Sequence, residues 1–335
     1  MRFIKLSLSI FLFSVLILSC SSEKKQGMLL TVTGETMGTT YSVKYIYPRN
    51  NSDSVKASID SKLEEYNSSV STYIESSLIS EFNRNPRGVK ADEYLLSNLK
   101  LSQEIQEKSL GYFDPTVTPL INAWGFGFDK DVNVDSSVID SLKLFVGLNE
   151  NIKFKGDSII KSVQGVELNF NAIAKGYGVD VVAQHLIDMG VDNFLVEIGG
   201  EVRSNGLNTL NSRRWILGID KPVDGSTPGT KFQAKVKLGD EAMATSGNYR
   251  NFYIKNGKKY AHTIDPMTGY PVNHNLLSAS VIARNCSVAS GQAVNDESKA
   301  LMEEVSIIYK NAKDLSADFT MILRNKQASS AFCNS

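Results

Sequence analysis

Alternating apolar and polar residues predict β-strands in several stretches of the chain. Residues 29–48, LLTVTGETMGTTYSVKYIYP, alternate around Gly34 and Gly38, which indicates two strands joined by a turn. Residues 152–162, IKFKGDSIIKS, predict a hairpin with Gly-Asp at its turn. Further strands are predicted at residues 193–198, 214–219, 232–238 and 250–264.

Helical spacing predicts three helices among these strands. At residues 53–70 apolar side chains recur every three or four positions, as in an amphipathic helix. A second helix is predicted at residues 92–110, and a third at residues 171–190, which ends at a glycine. Helices and strands mix without a regular βαβ order, so we predict an α+β fold with mixed or antiparallel sheets and flanking helices. No convincing linker interrupts residues 29–327, which are predicted to be one domain.

The first residues have the pattern of a bacterial secretion signal. Arg2 and Lys5 precede the apolar run LSLSIFLFSVLIL, which is too short to span a membrane comfortably. The sequence Ile-Leu-Ser-Cys at its end resembles a lipobox. Residues 1–19 are therefore predicted to be a signal peptide, with Cys20 lipidated and residues 20–28 as a tether. A simple signal peptide with an incidental cysteine is the alternative.

Charge and cysteine content limit the classes of partner and cofactor. The 335 residues include 36 basic and 36 acidic side chains, so neither nucleic acid nor an acidic polymer is predicted as a partner. Cys286 and Cys333 are too few for a disulfide framework; they could form one disulfide, and the sequence leaves this open. No cluster of cysteine and histidine has the spacing of zinc ligands.

Two stretches early in the chain have residue types that suit a ligand site. Gly38 could let the backbone approach a flat ligand, although a simple strand bulge explains it about as well. Residues 113–127, FDPTVTPLINAWGFG, predict a wall that fixes aromatic side chains and the carboxylate of Asp114. Thr116 is predicted to cap the turn that follows. An ordinary buried loop is the alternative for this stretch.

Residues 169–180, NFNAIAKGYGVD, predict a strand that leads into the N-terminus of a helix. Helix N-termini bind phosphate through free N–H groups and the helix dipole. Lys175 adds positive charge to the start of this helix, whereas Asp180 falls five positions later and does not share its face exactly. The alternative is an ordinary surface lysine.

His262 is one of only three histidines, and it opens the stiff sequence HTIDPMTGYPV. The hairpin predicted at residues 250–264 would bring Ser246 and Gly247 close to His262. A histidine beside hydroxyl groups and a rigid Asp-Pro turn suits a general base. Taken alone, the motif fits a core histidine that donates to a carbonyl better.

Together these motifs resemble the ApbE family, in the order in which that family has them, over residues 29–283. The motifs are MGTTYSV, STY, FDPTVTPLINAWGFG, NAIAKGYGVD, VEIGGEVRSNG, ATSGNYRNF and HTIDPMTGYPV. Members of the family are FAD:protein FMN transferases, often lipoproteins facing the periplasm. The resemblance implies an FAD cleft, Mg²⁺ at the pyrophosphate, and transfer of FMN from FAD to a threonine hydroxyl of a partner protein, releasing AMP. Such partners are often redox subunits in the membrane, to which this chain would be anchored on the periplasmic side.

The resemblance also implies particular site residues. Met37 and Tyr73 would line the flavin or adenine pocket. Further FAD contacts are expected from Phe113, Asp114, Pro115, Asn169, Lys175 and Ile264. Ala172 would offer its backbone carbonyl to the metal, and His262 would be the base that removes the proton of the threonine hydroxyl.

Two other functions fit the same motifs. In an FAD pyrophosphatase, water would replace the threonine, giving FMN and AMP. In the second alternative, the chain is a lipid-anchored flavin-binding protein without catalysis.

The expected metal ligands depart from the family pattern within residues 285–305. The family has an aspartate followed four positions later by a threonine, whereas Ser290 and Val294 stand there. Sliding the alignment makes Asp296 the ligand but places Ala300 at the threonine site. Magnesium is usually held by one or two carboxylates and substrate phosphates. The ungapped alignment therefore predicts weak magnesium affinity and low transferase activity, with FAD binding less affected.

Overall fold

The structure is a computed structural model that describes residues 27–127, 134–221, 229–247, 252–255, 258–272, 276–299 and 320–325. Its helices are α1 Ser52–Val70, α2 Leu78–Arg84, α3 Glu93–Lys108, α4 Thr118–Ala123, α5 Ser136–Lys143, α6 Leu148–Asn151, α7 Asn171–Asp188 and α8 Cys286–Lys299. Its strands up to residue 205 are β1 Met28–Thr36, β2 Thr39–Tyr47, β3 Gly88–Lys90, β4 Ile152–Lys155, β5 Ser158–Lys161, β6 Phe194–Ile198 and β7 Glu201–Asn205. The later strands are β8 Trp215–Asp220, β9 Phe232–Leu238, β10 Ala242–Ser246, β11 Phe252–Lys255, β12 Lys258–Ala261, β13 Leu276–Ala283 and β14 Thr320–Asn325.

The largest sheet in these ranges has seven strands in the order β1-β2-β6-β7-β10-β13-β14, and each neighbouring pair is antiparallel. The predicted α+β class is therefore confirmed. β1 and β2 form the hairpin predicted at the start of the chain. Its turn is Met37–Gly38, with φ angles of 51° and 69°, the left-handed conformation that two-residue hairpin turns require. A Cβ at residue 38 would meet no atom within 4 Å, so lack of space does not explain the glycine. The left-handed backbone conformation does.

Within the described ranges, three small sheets accompany the large one. The hairpin predicted at residues 152–162 is confirmed as β4–β5, and β3 adds a third strand. β8 pairs with β9, and β11 pairs with β12 with Phe252 opposite Ala261. The predicted turn of the β11–β12 hairpin, Asn256–Gly257, lies outside the described residues.

The three predicted helices are confirmed with small changes at their ends. α1 buries the five apolar positions expected of its inner face: Val55, Ile59, Leu63, Tyr66 and Val70. α3 begins after Asp92, whose side chain caps it by accepting from the Leu95 amide at 2.8 Å. α7 ends before Gly190, which has a φ of 77°.

α7 lies between two hydrophobic clusters. Its C-terminal half contributes Val179 and Leu186 to the cluster formed with β1, β2, β6 and α1. Ile173, near its N-terminus, belongs to a second cluster that includes residues of α3 and Phe113. The N-terminus of α7 is therefore fixed beside the loop that follows α3.

Several predictions fall on residues that the structure does not describe. These residues include the signal peptide, Cys20, most of the tether, and Cys333. The thiol of Cys286 is free and buried, and burial holds its pKa well above the usual value. None of the helices in the described ranges combines the length and the apolar character needed to cross a membrane.

Candidate functional site

A cleft of about 1220 Å³ opens at one end of the large sheet and of α7. This volume suits a ligand the size of a dinucleotide. Its walls come from the β1–β2 turn, the loop after α3, the N-terminal turns of α7, the β6–β7 turn, the end of β10, the loop after β12, and α8.

The structure brings most of the predicted site residues into this cleft. Those that line it are Met37, Tyr73, Phe113, Asp114, Pro115, Asn169, Ala172, Lys175, His262, Ile264 and Ser290. Asp296 lies on α8, but its side chain is outside the described part of the structure. The structure shows that these residues line one cleft. The role of each residue stays a prediction.

Asp114 anchors one wall of the cleft. Asp114 as a whole residue is 7% exposed, and its carboxylate accepts hydrogen bonds from the Leu148 amide at 3.0 Å and from the Gln106 side chain. It also accepts from the amide and the hydroxyl of Thr116. Burial raises the pKa of this carboxyl, and the four hydrogen bonds act in the opposite direction. With all its partners in the protein, Asp114 fixes the loop and has little freedom to bind a ligand.

The prediction that Thr116 caps the following turn is wrong. α4 begins after Val117 and has no side-chain cap. The Thr116 hydroxyl instead donates to Asp114 and accepts from the Gly147 amide at 2.8 Å. The carboxylate takes the hydroxyl hydrogen and the Gly147 amide takes the hydroxyl oxygen as its acceptor, so the group is held away from the first amides of α4.

The same wall is tied to the start of α7. The Asn169 amide donates to the Pro115 carbonyl at 2.8 Å, and the Asn169 side chain accepts from the Asn171 amide at 2.8 Å. The Asn171 side chain reaches the hydroxyl of Tyr73, which is 72% exposed at the rim. The predicted phosphate-binding helix therefore opens into the cleft beside the aromatic wall.

Lys175 is not an isolated surface lysine. Its Nζ lies 2.8 and 2.9 Å from the two carboxylate oxygens of Glu201, at the start of β7. Both side chains line the cleft. Burial raises the pKa of Glu201, and Lys175 lowers it in part. This ion pair places a cation at the end of the cleft where α7 begins.

A second ion pair joins α7 and β7 two strand positions further on. Arg203 Nη1 lies 2.9 Å from Asp180 Oδ1. Five residues of a helix rise about 7.5 Å and two residues of a strand about 6.6 Å. The two charged residues on α7 are therefore spaced almost as far apart as the two on β7, and each can face a charge of opposite sign. Neither Glu201 nor Asp180 was predicted as a structural partner from the sequence. The matched spacing of opposite charges, Lys175 and Asp180 against Glu201 and Arg203, is the signal that could have found them.

Asp180 also holds the N-terminus of α8. Its carboxylate accepts from the Cys286 and Ser287 amides, both at 2.9 Å, and from the Ser287 hydroxyl at 2.7 Å. A carboxylate at a helix N-terminus satisfies free N–H groups and complements the helix dipole. Asp180 therefore fixes the position of the helix that carries Ser290.

α7 and α8 approach closely where residue 176 is glycine. A Cβ at Gly176 would collide with the Ser290 hydroxyl and would lie 2.5 Å from the Cys286 carbonyl oxygen. Ser290 is 4% exposed, and its Oγ is buried without a hydrogen-bond partner among the described residues. This hydroxyl lines the cleft, so a ligand there could become its partner.

His262 follows β12 and stands beside a tightly bonded loop. Asp265 accepts from the Met267 amide and from the Thr268 hydroxyl, both at 2.9 Å. The backbone closes the loop through Asp265 and Tyr270, and the Trp124 indole donates to the Gly269 carbonyl at 2.8 Å. The loop is therefore rigid, as the sequence predicted.

The imidazole of His262 is half-buried and lines the cleft. Its Nδ1 is buried and has no hydrogen-bond partner in the described structure. At Nδ1, therefore, the structure does not support the alternative in which His262 is a core histidine that donates to a carbonyl. Ser246 and Gly247 line the same cleft, as the hairpin prediction required.

The described residues fit a magnesium ion only in part. Ala172 and Ser290 line the cleft and could offer a carbonyl and a hydroxyl oxygen, both neutral. Within the described ranges, no group of three or more histidine, cysteine, aspartate or glutamate side chains could hold a metal ion. Neutral donors alone make a weak site for a hard cation.

Comparison with known proteins identifies related chains. The model of the ApbE family matches residues 37–295. The FAD:protein FMN transferase of Vibrio cholerae is 36% identical over 285 residues, covering 83% of this chain and 83% of that protein. That of Haemophilus influenzae is 34% identical over 303 residues, covering 85% and 86%.

Solved structures give the same result. The flavin transferase ApbE from Vibrio cholerae superposes with a TM-score of 0.77 at 32% identity, covering 90% of this chain and 95% of that one. The apo flavinyl transferase ApbE from Pseudomonas stutzeri has a TM-score of 0.78 at 28% identity, covering 91% and 93%.

Proposed function

Since the chain belongs to the ApbE family, we propose that it transfers FMN from FAD to a threonine hydroxyl of a partner protein and releases AMP. Flavin transfer is the activity named for its curated relatives. The threonine acceptor, the release of AMP and the use of Mg²⁺ are the further parts of this proposal.

One observation carries the proposal. A histidine, a helix N-terminus with a lysine, and an aromatic wall come from distant parts of the chain, yet they line one cleft large enough for a dinucleotide. These are the groups that a phosphoryl transfer from a pyrophosphate needs: a base for the nucleophile, positive potential for the phosphates, and a surface for the flavin.

In the proposed reaction the threonine oxygen bonds to the phosphorus of the FMN half of FAD. The bond from that phosphorus to the bridging oxygen breaks, and AMP leaves with this oxygen. The imidazole of His262 takes the proton of the threonine hydroxyl. The bonded loop from Thr263 to Val272 keeps His262 in place, so the reacting groups need little reordering.

Charge on the phosphate oxygens is balanced by the protein at the start of α7. The helix N-terminus contributes positive potential there, while the charge of Lys175 is offset by Glu201 and its ammonium group keeps one N–H donor for a phosphate oxygen. When bound, Mg²⁺ would neutralise further charge on the pyrophosphate. The described residues that would hold it are Ala172, through its carbonyl, and Ser290, through its hydroxyl.

A single assay separates the proposed function from its two rivals. The purified protein is incubated with FAD and Mg²⁺, with and without membranes from a strain of the source bacterium that lacks it. Covalent flavin is read by fluorescence on a denaturing gel, and AMP is quantified. We expect a fluorescent protein band only with membranes, and AMP in equal amount. AMP release without any flavinylated protein would establish an FAD pyrophosphatase, and FAD binding without AMP a flavin-binding protein.

We also propose that the protein is a lipoprotein, anchored to a membrane on its periplasmic side, where it meets a membrane redox subunit. The lipobox-like sequence before Cys20 supports this. Cys20→Ser should remove the lipid and release the protein from the detergent phase in a phase-partition assay. Continued partition of the variant into detergent would mean a different anchor.

A further inference from the structure

The β8–β9 hairpin has one buried face and one exposed face. Side chains alternate along each strand, and residues paired across the two strands share a face. The inner face packs against apolar side chains of β10 and β13. The outer face carries Ile216 opposite Lys237, and Gly218 opposite Lys235. All four of these residues are exposed.

The outer face begins inside the cleft. Gly218 and Phe232 line the cleft, whereas Ile216, two positions further along β8, lies beyond it. A Cβ at Gly218 would lie 2.2 Å from two carbons of the Phe232 ring, so this ring lies directly over the glycine. Phe232 and Ile216 are each 51% exposed. Ile216, Gly218 and Phe232 therefore form an apolar surface that leads out of the cleft, which we call the exit strip.

Positive charge borders the exit strip. Lys235 and Lys237 lie on the same face, and neither forms an ion pair within the described ranges. Asp220 stands at the cleft end of this face, where its carboxylate oxygens accept from the Gly229 amide at 3.0 and 3.1 Å. Away from the cleft, the two lysines are the charged residues of the hairpin's outer face. A carboxylate of a partner would be attracted there.

Resting on the proposed function, we infer that the exit strip binds the segment of the partner protein that carries the acceptor threonine. This segment has an apolar side chain and a carboxylate close to the threonine. FAD occupies the cleft before transfer, so a protein substrate reaches the phosphorus only over the rim. Single exposed apolar side chains are ordinary on a protein surface. An apolar strip that starts in the cleft and has cations beside it fits an acidic, partly apolar segment.

The β4–β5 hairpin provides a matched control. Phe154 is 41% exposed there, and its neighbours Lys153 and Lys155 are exposed too. None of these three residues lines the cleft. A general effect of surface charge on the encounter with membranes should appear at both hairpins, whereas docking of the acceptor segment should appear at β8–β9 alone.

The experiment measures flavin transfer to membranes of a source strain that lacks the protein, solubilised in a neutral detergent and supplied at increasing concentration. Lys235→Glu combined with Lys237→Glu should raise the half-saturating membrane concentration about tenfold, and Ile216→Ser about threefold. FAD affinity and the maximal rate should stay within about twofold, because none of these residues lines the cleft. Lys153→Glu combined with Lys155→Glu, and Phe154→Ser, should match the parent.

Three results would overturn the inference and leave the proposed function standing. The first is equal behaviour of the two sets of hairpin variants, whether unchanged or impaired. The second is a loss of transfer with intact membranes that disappears after solubilisation, which would assign the lysines to the anionic lipid surface. The third is a loss of FAD affinity as large as the loss of transfer, which would assign the strip to FAD. Absence of any flavinylated band with the parent would overturn the inference and the proposed function together.

Discussion

The loop around Asp114 and the contact between α7 and α8 satisfy their buried polar groups in different ways. In the loop, Asp114 is surrounded by neutral donors from three nearby segments. At the helix contact, Asp180 pairs with Arg203 and the N-terminus of α8, yet Ser290 one turn further has no partner in the described structure. The first region satisfies its buried polar groups with its own hydrogen bonds, and the second leaves a buried hydroxyl without a partner in the described residues, beside the cleft.

This difference separates groups that build the cleft from groups that can act in it. A polar atom that already has its partners contributes to stability, and its loss should be seen in unfolding. A buried polar atom without partners lowers stability, so its removal should not destabilise the fold, and its role should be seen in binding or rate.

His262→Ala should lower the rate of flavin transfer by about 10²–10⁴-fold, the usual contribution of a positioned base. FAD affinity should stay within a few fold, because the imidazole has no hydrogen bond at Nδ1 that holds the cleft together. Transfer rate and FAD affinity are measured separately. His185→Ala, at a histidine outside the cleft, should transfer at the parent rate. A normal rate in His262→Ala would make His262 structural.

Asp180→Ala should lower the free energy of unfolding by about 3 kcal/mol, since it strands a largely buried Arg203 and removes the cap of α8. Urea unfolding followed by circular dichroism measures this. Asp188→Ala, at an exposed acid on the same helix, is the matched control and should change stability by less than about 0.5 kcal/mol. Equal effects of the two changes would contradict a structural role for Asp180.

Asp114→Asn should lower the free energy of unfolding by about 1–3 kcal/mol at neutral pH, because its amide group faces donors where the carboxylate offered acceptors. Asp157→Asn, at an exposed hairpin turn, is the control and should be nearly neutral. If Asp114→Asn leaves stability unchanged but weakens FAD binding, Asp114 belongs with the groups that contact the ligand.

The smallest effect concerns pH. Burial raises the folded-state pKa of Asp114 above its usual value, so between these two values the folded protein binds more protons than the unfolded chain. Its contribution to stability is therefore full below the usual pKa and is lost as pH rises through the raised one. The stability of the parent minus that of Asp114→Asn should fall over this window in urea titrations at several pH values. A difference that grows with pH would mean that the hydrogen bonds outweigh burial.

Much of the fold could be predicted because its signals are local. The hairpin of β4 and β5 and the inner face of α1 follow from residues within one turn or one pleat of each other. The strand order of the large sheet, and the bond from Asp180 to Cys286 across 106 positions, depend on long-range packing that has no local signal. Thr116 was assigned to the wrong partner for the same reason, since its hydroxyl bonds Gly147 from another segment.

The sequence predicted a set of candidate site residues, but not the hydrogen bonds and ion pairs that join them to their neighbours. The resemblance named Lys175 as an FAD contact, but its partner Glu201 lies 26 positions away, and the only signal for the pair is the matched spacing of charges in these two distant segments. The sequence already showed that Ser290 departs from the family's pattern of metal ligands. That the hydroxyl is buried and without a partner in the described chain could only be seen once α8 was placed against α7.

The glycine at position 176 also has a mechanical consequence. Where α7 and α8 meet, backbone atoms of Cys286 fill the space that a side chain would otherwise take. Long side chains can change rotamer and absorb a displacement, whereas a contact between backbones has little compliance. The first turns of α8 and the middle of α7 should therefore move as one stiff unit. In hydrogen exchange, the amides of both segments should open together with a common free energy.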